Sequence, residues 1–375
     1  MNLQKRKLQE RNNQSGSLQS GSSQLNIKKF LGEFYGNKKI GKVFTGFVMT
    51  VALSISCPGV ENLAGAVEKV YAASSEIQGQ EKANTAAAQT VTWKQKGSKR
   101  YCYRNGRKLT GFQKVGNSYY YFDSKGVMCT GWQFVKNHYR YFGRKTGKMR
   151  VNDTVQGRKI DSNGIWTPVV VLDPGHSGVV SGGYEPLGPG SSEKKSKDTS
   201  GTEGVATKVP EYKLTLKVAK QLARVLKKQG CKVVMTRTDS KSALSCVQRA
   251  KIANKARADA YLRIHANSID SSSATGALTI CVTKNNRYVS NKMYKKSYAL
   301  SAAVLNAYVK ATGCRKEYIW ETDTMSGNNW SKVPTTLIEL GYMSNSDEDR
   351  KMQTTAYQKK MVKGMADGIK EYFLG

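Results

Sequence analysis

Val169-Val-Val-Leu-Asp-Pro-Gly-His176-Ser-Gly is the stretch from which the fold of this chain is read. Four apolar residues run straight into Asp173-Pro174-Gly175, and a histidine follows where the chain must turn. An apolar run closed by turn residues is the pattern of a buried strand, here ending with an imidazole at the rim of a sheet. Histidine is scarce, with three in 375 residues, yet a second one repeats the arrangement: Ala260-Tyr-Leu-Arg-Ile-His265 is also an apolar run ending on an imidazole.

The sequence around these two runs alternates between strand and helix patterns. Pro210-Glu211 opens a helix with Leu214, Val218, Leu222 and Val225 on its apolar face, and Gly230 closes it. Proline in the first turn and glycine just past the end are the usual punctuation. Lys232–Thr236 reads as a strand, Leu244 to Ala256 as a second helix, and Ala260 to Ile264 as the next strand. Strands at 276–282 and 335–340 and a closing helix over 356–373 complete the pattern. The fold class expected is α/β, a mostly parallel twisted sheet flanked by helices on both faces. In such sheets functional groups gather beyond the carboxyl ends of the strands. His176 and His265 lie there, Glu339 lies near the end of a third strand, and Glu211 sits in the first turn after the His176 loop.

The first half of the chain is different. Residues 1–73 form a basic leader, expected to be disordered, with an apolar run from Val43 to Ile55 after Lys38-Lys39 and Lys42. Small residues around Ala72-Ala73 complete the pattern of an export signal. The alternatives are an uncleaved membrane anchor and, on the cysteine at position 57, lipidation. Each of these puts the rest of the chain outside the cytoplasm. Residues 74–90 read as a linker. From 91 to 166 a motif recurs with a step of 20: Thr110-Gly-Phe112 returns as Thr130-Gly-Trp132, and Tyr119-Tyr-Tyr-Phe122 as Tyr139-Arg-Tyr-Phe142. Alternating aromatics at a fixed step predict a small solenoid of β-hairpins, each too small to have its own core.

The formal charge is +34, from 61 Lys and Arg against 27 Asp and Glu. That balance favours polyanionic partners, and export leaves an anionic wall or membrane rather than nucleic acid. The seven cysteines show no C-x-x-C spacing, which argues against a cysteine zinc site or redox pair.

The repeats resemble the cell-wall-binding repeats of Gram-positive surface proteins, of the choline-binding and glucan-binding kind. The resemblance implies wall-binding aromatics at Phe112, Tyr119, Tyr121, Trp132, Tyr139 and Tyr141. The pattern departs from the choline type, with Phe112 at the place equivalent to Trp132, and Ser118 and His138 before the tyrosine runs. A wall polysaccharide or anionic wall polymer is therefore the expected ligand; aromatics that serve only for stacking are the plainer reading.

In the second half six motifs occur in order: Leu172-Asp-Pro-Gly-His176, Pro210-Glu211-Tyr-Lys-Leu-Thr-Leu, Val234-Met-Thr-Arg237-Thr-Asp239, Arg249-Ala-Lys-Ile-Ala-Asn254, Arg263-Ile-His265-Ala-Asn-Ser268 and Ile338-Glu339-Leu-Gly-Tyr-Met-Ser-Asn345. Together they resemble the zinc-dependent N-acetylmuramoyl-L-alanine amidases over 168–375. The resemblance implies that His176, Glu211 and His265 bind one Zn2+, that Glu339 is the catalytic carboxylate, and that Asn267 contacts substrate. Two imidazoles and a carboxylate leave a fourth zinc position open, as hydrolysis requires. The implied enzyme is a secreted, wall-associated peptidoglycan hydrolase cleaving the amide between the lactyl group of N-acetylmuramic acid and L-alanine. The rivals are a zinc peptidase acting within the stem peptide and a wall-attached adhesin with an inactive amidase domain. Three further acids, Glu185, Glu193 and Glu203, lie in the 177–209 loop as competitors for the ligand role of Glu211. Arg237 and Arg249 read as structural partners of acids such as Asp239, and His138 as an ordinary surface or core residue.

Overall fold

Short antiparallel strands fill the chain from Val91 to Ile160 in the computed structural model, which describes residues 90–375. The leader and the linker through residue 89 lie outside the described residues. Strands β1 (Val91–Lys96), β2 (Lys99–Arg104) and β3 (Arg107–Lys108) form a three-stranded sheet. Three hairpins follow: β4 (Gly111–Val115) with β5 (Ser118–Phe122), β6 (Gly131–Val135) with β7 (His138–Phe142), and β8 (Asp153–Val155) with β9 (Arg158–Ile160). The β6–β7 turn places both Lys136 and Asn137 at positive φ, 52° and 59°, matching the twist of a two-residue hairpin. Successive units are stitched by the same backbone bond: Met128 N–H donates to Arg100 O, Met149 N–H to Tyr119 O, and Trp166 N–H to Tyr139 O, at 2.8–2.9 Å.

The last stitch ends the array against the second half of the chain. Tyr139 is fully buried, with ring centroids 5.7 Å from Trp166 and 5.5 Å from Phe373. Trp132 is buried 5.1 Å from Trp166. Arg158 lies over Trp166 at 4.2 Å and donates to the Phe373 carbonyl at 2.6 Å. These aromatics join the main hydrophobic core.

The run at Val169 becomes β10 (Val169–Pro174). The loop expected over 177–209 holds a small hairpin of β11 (Tyr184–Pro186) and β12 (Lys194–Ser196). Then come α1 (Glu211–Lys228), β13 (Lys232–Met235), α2 (Cys246–Lys255), β14 (Ala260–Asn267) and β15 (Ala277–Cys281). The chain continues through α3 (Asn291–Thr312), β16 (Lys316–Glu321), α4 (Ser326–Asn329), β17 (Thr335–Tyr342), α5 (Ser346–Gln353) and α6 (Thr355–Leu374). The sheet order is β13-β10-β14-β17-β15-β16. Its neighbours run parallel except β15 and β17, which are antiparallel.

Alternation along the strands divides the side chains between two cores. Val170, Leu172, Leu262, Ile264, Ile338 and Leu340 pack with α1, α3 and α6. Val171 and Tyr261 pack with Ala250 and Ala253 of α2, and Leu278, Ile280 and Leu337 with Met325. After β15 four elements were not expected from the sequence: α3, β16 and the short helices α4 and α5. The buried face of α3 includes Ser297, Ser301, Ala307 and Thr312 between its larger residues, which dilutes the apolar period. In β16 the outward residues include the aromatics Tyr318 and Trp320 beside Lys316 and Glu321, which blurs the polar alternation of an edge strand.

Candidate active site and metal centre

The turn after β10 is held by a buried charge cluster. Asp173 is fully buried; it accepts from Arg249 Nη1 at 2.9 Å, Thr236 Oγ1 at 2.6 Å, Tyr261 Oη at 3.0 Å and Arg263 Nε at 3.2 Å. Burial opposes its ionisation, but Arg249 and Arg263 outweigh this and hold its carboxyl well below the usual range. Arg249 pairs with Asp173, so its structural reading holds with a different acid from the one expected. Arg237 contacts Asp239 only through its carbonyl; its guanidinium also grips the carbonyls of Pro174, Gly175 and Tyr212 at 2.8–3.0 Å. Thr215 Oγ1 donates to Gly175 O at 3.0 Å, fixing the turn from the side of α1.

Clamped in this way, His176 adopts φ +57°, a conformation rare outside glycine. Its Nδ1 lies 2.8 Å from the Thr199 carbonyl. A carbonyl only accepts, so Nδ1 carries the proton and Nε2 is left with its lone pair facing inward. Gly175 is required by close approach: a Cβ there would strike the ring of His265.

Glu211 enters from the first turn of α1, buried at 3 % exposure. Its Oε1 accepts from Ala266 N at 3.1 Å and its Oε2 from Thr202 N at 3.1 Å. Gly201, at φ +77°, passes so close that any side chain would meet Glu211 Oε2 and the His176 ring.

The three groups converge. His265 Nδ1 lies 3.1 Å from His176 Nε2 and 3.1 Å from Glu211 Oε1, and His176 Nε2 lies 3.2 Å from Glu211 Oε2. Ligands at about 2.0–2.1 Å from a tetrahedral zinc stand roughly 3.3 Å apart. Two imidazole nitrogens and a carboxylate converging on one point suit a cation there, and the donor set fits zinc. Among the described residues this is the His/Cys/Asp/Glu group compact enough to hold a metal. Burial draws His265 down to about 4, keeping it a neutral ligand. Burial also acts on Glu211, but its bonds to the two histidines hold it ionised. The competing acids are elsewhere: Glu185 accepts from Val247 N and Ser326 Oγ, while Glu193 and Glu203 are exposed.

Glu339 faces the centre from the next strand, directly opposite His265 in the β14–β17 register. Its Oε2 is buried without a hydrogen-bond partner. Desolvation, then the charge of Glu211, pushes its carboxyl well above the ordinary value, with Arg263 opposing. Asn267 stands two residues beyond His265, half-buried, its Oδ1 accepting from Ser268 N at 2.9 Å.

The aromatic positions of the repeats divide. Trp132 and Tyr139 are sealed inside the joint with Trp166 and Phe373, which removes them as ligand-facing groups. Tyr119 is exposed and stacked on half-buried Phe112 at 5.1 Å, and Tyr121 and Tyr141 are half-buried. His138 is half-buried on β7 beside Gly230 and takes no part in the centre.

Comparison with known proteins agrees with this geometry. The sequence model of the N-acetylmuramoyl-L-alanine amidase family matches residues 170–371, and that of the choline-binding repeat matches 109–153. The chain is similar to the "probable cell wall amidase LytH" of Staphylococcus aureus, 29% identical over 221 residues, 59% of this chain and 64% of that protein. It thus spans just under two thirds of the length of the curated relatives it matches. Among solved structures, the N-acetylmuramyl-L-alanine amidase Ami1 of Mycobacterium abscessus in its apo form is 25% identical with a TM-score of 0.50. The match covers 55% of this chain and 98% of that one. Ami1 of Mycobacterium smegmatis, 22% identical with a TM-score of 0.50 over 55% of this chain and 96% of that one, shares the fold. With more than half of its length matched by the family model, and with the His–Glu–His cluster inside that match, the chain belongs to the N-acetylmuramoyl-L-alanine amidase family.

Proposed function

We propose that the chain is a peptidoglycan hydrolase that cleaves the amide between the lactyl group of N-acetylmuramic acid and the L-alanine of the stem peptide. The observation that carries this reading is the convergence of His176 Nε2, His265 Nδ1 and Glu211 within 3.1–3.2 Å, inside the matched family region and faced by Glu339.

His176, Glu211 and His265 would hold one Zn2+. When bound, zinc supplies Lewis acidity for the scissile carbonyl and makes water a better nucleophile near neutral pH. The protein's own part is proton handling and positioning. Glu339 has an oxygen with no protein partner and a raised proton affinity, which suits a group that takes a proton from the attacking water. The same carboxyl would return that proton to the amide nitrogen, which leaves poorly as an anion. Asn267 would contact the substrate at the same strand end.

The repeats would bind an anionic wall polymer or polysaccharide, through Phe112, Tyr119, Tyr121 and Tyr141. We place the boundaries at 1–73 for the leader, 74–90 for the linker, 91–166 for the repeats and 168–375 for the catalytic domain. The protein would be exported and retained on the wall, with membrane contact only through an uncleaved signal. No helix among the described residues is long and apolar enough to cross a membrane.

One experiment separates the readings: digest purified peptidoglycan and identify the newly freed amine. New L-alanine amino groups, absent with a chelator and with Glu339→Ala, are the expected result. New amines on other residues would mean a peptidase, and none would leave the wall adhesin.

A further inference from the structure

The sheet carries the catalytic face further than the metal centre. His265 pairs with Glu339 across β14 and β17, and Glu339 pairs with Leu278 across β17 and β15. Beyond Leu278 lies the edge strand β16, where the register shifts between Ala277↔Lys316 and Thr279↔Ile319 before Ile280 pairs with Trp320. Thr279 and Ile319 point to the α3 side, since Thr279 Oγ1 donates to Ser301 O and Ile319 packs on the main core. Their chain neighbours Leu278, Ile280, Tyr318 and Trp320 therefore point to the opposite face, which is the face of Glu339.

Leu278 and Ile280 are buried there, with Leu337 and Met325. Tyr318 and Trp320 are not: they stand 57% and 43% exposed. Two strand spacings separate β16 from β17, placing Tyr318 about 10 Å from Glu339, while Trp320 lies on the rung of Ile280 and Leu337, about 12 Å from Glu339. Large aromatics cost free energy in water, and a pair left open on the same sheet face as a reacting centre is a ready ligand platform.

We propose that Tyr318 and Trp320 form a sugar-stacking platform, which receives the glycan strand beside the scissile lactyl amide. Resting on the amidase reading above, this adds what the site reads: an extended polysaccharide as well as a muramoyl peptide. The C–H faces of N-acetyl hexosamine rings are apolar and flat enough to lie on indole and phenol rings. Their hydroxyl and acetamido groups would remain in solvent. A stem peptide alone offers no such faces, so the platform would favour polymeric substrate over small fragments.

The test compares the full chain with Tyr318→Ala, Trp320→Ala, the double variant and Trp320→Phe, each loaded with zinc. Two substrates are used, uncross-linked glycan strands bearing stem peptides and the single-sugar N-acetylmuramoyl-L-alanyl-D-isoglutamine. The expected result is a fall of at least about tenfold, in the double variant, in the ratio of kcat/KM for strands to that for the single-sugar substrate. The loss should appear in KM, and Trp320→Phe should retain most of the ratio. A second arm measures binding of peptide-free glycan strands to the Glu339→Gln protein with and without the double substitution, expecting a similar loss of affinity. A ratio and an affinity both unchanged within twofold would overturn the platform. So would a wild-type dimer that Trp320→Ala converts to monomer, which would assign the aromatics to self-association. If wild type cuts neither substrate, the amidase reading fails, while the binding arm still decides the platform.

Discussion

Glu339 stands directly opposite His265 on neighbouring parallel strands, so the proposed proton carrier and one proposed metal ligand share a single rung of the sheet. Backbone hydrogen bonding, rather than a flexible loop, sets their separation. Glu339→Gln keeps the shape and removes the proton acceptor. Its turnover on peptidoglycan should fall by about 10²–10⁴-fold, while zinc content measured by elemental analysis stays at one per chain. Loss of zinc in this variant would place Glu339 among the ligands instead.

The convergence of two imidazoles and a carboxylate implies that the folded chain gains stability from a bound cation. Stripping the protein with a chelator should lower its melting temperature, and zinc at a hundredfold excess over Kd should restore about 2.7 kcal/mol. Glu211→Ala and His176→Ala should abolish the zinc-dependent shift in melting temperature. An unchanged shift in either variant would move the metal elsewhere.

Asp173 supplies a pH dependence that is independent of the metal. Its carboxyl is buried against Arg249 and Arg263 and held well below its ordinary value. A depressed carboxylate contributes stability that is complete above about pH 4 and drains away as pH falls toward the folded-state value. Asp173→Asn leaves buried Arg263 without its anion and Arg249 with only Asp198, 3.7 Å away, and should cost about 3–5 kcal/mol. Denaturant titrations between neutral and acid pH should show a steeper acid loss in wild type than in the variant. Parallel curves would contradict the pairing.

Phe373 closes the joint between the last hairpins and the sheet domain, with Trp166 5.1 Å away and Tyr139 5.5 Å away. Phe373→Ala opens a cavity at this point and should destabilise by about 3–5 kcal/mol. Limited proteolysis should then cut first between Ile160 and Val169. Cutting that begins within 177–209 would show that the joint is not the weakest seam.

Much of this architecture is legible in the residues themselves. His176 and His265 end apolar runs, Glu211 follows a proline at a helix start, and Glu339 lies in a β-branched run, so local pattern and function coincide. The remainder depends on neighbours. That β15 runs antiparallel to β17 follows from the short 268–276 connection, which starts β15 at the end of the sheet where β14 finishes, with no crossover helix between them. Trp132 and Tyr139 carry the same repeat signature as Phe112 and Tyr119, yet they are buried because Trp166 covers Trp132 and Phe373, more than 230 residues later, covers Tyr139. Asp173 as the partner of Arg249 was equally hidden: their ion pair spans 76 positions, and nothing local ties them. The outward aromatics of β16 lack a repeating signature and become noticeable only once the strand order is known.

The aromatic joint has one more consequence. Trp166 lies just before the catalytic sheet, and its ring is held by the β6–β7 hairpin and by the closing helix. If the repeats hold the wall as proposed, the hairpins at this joint and the sheet would turn together rather than swing on a linker. An enzyme built this way reaches one place per landing. Its pattern of cuts along a wall would record where it settles, and each new cut would require letting go.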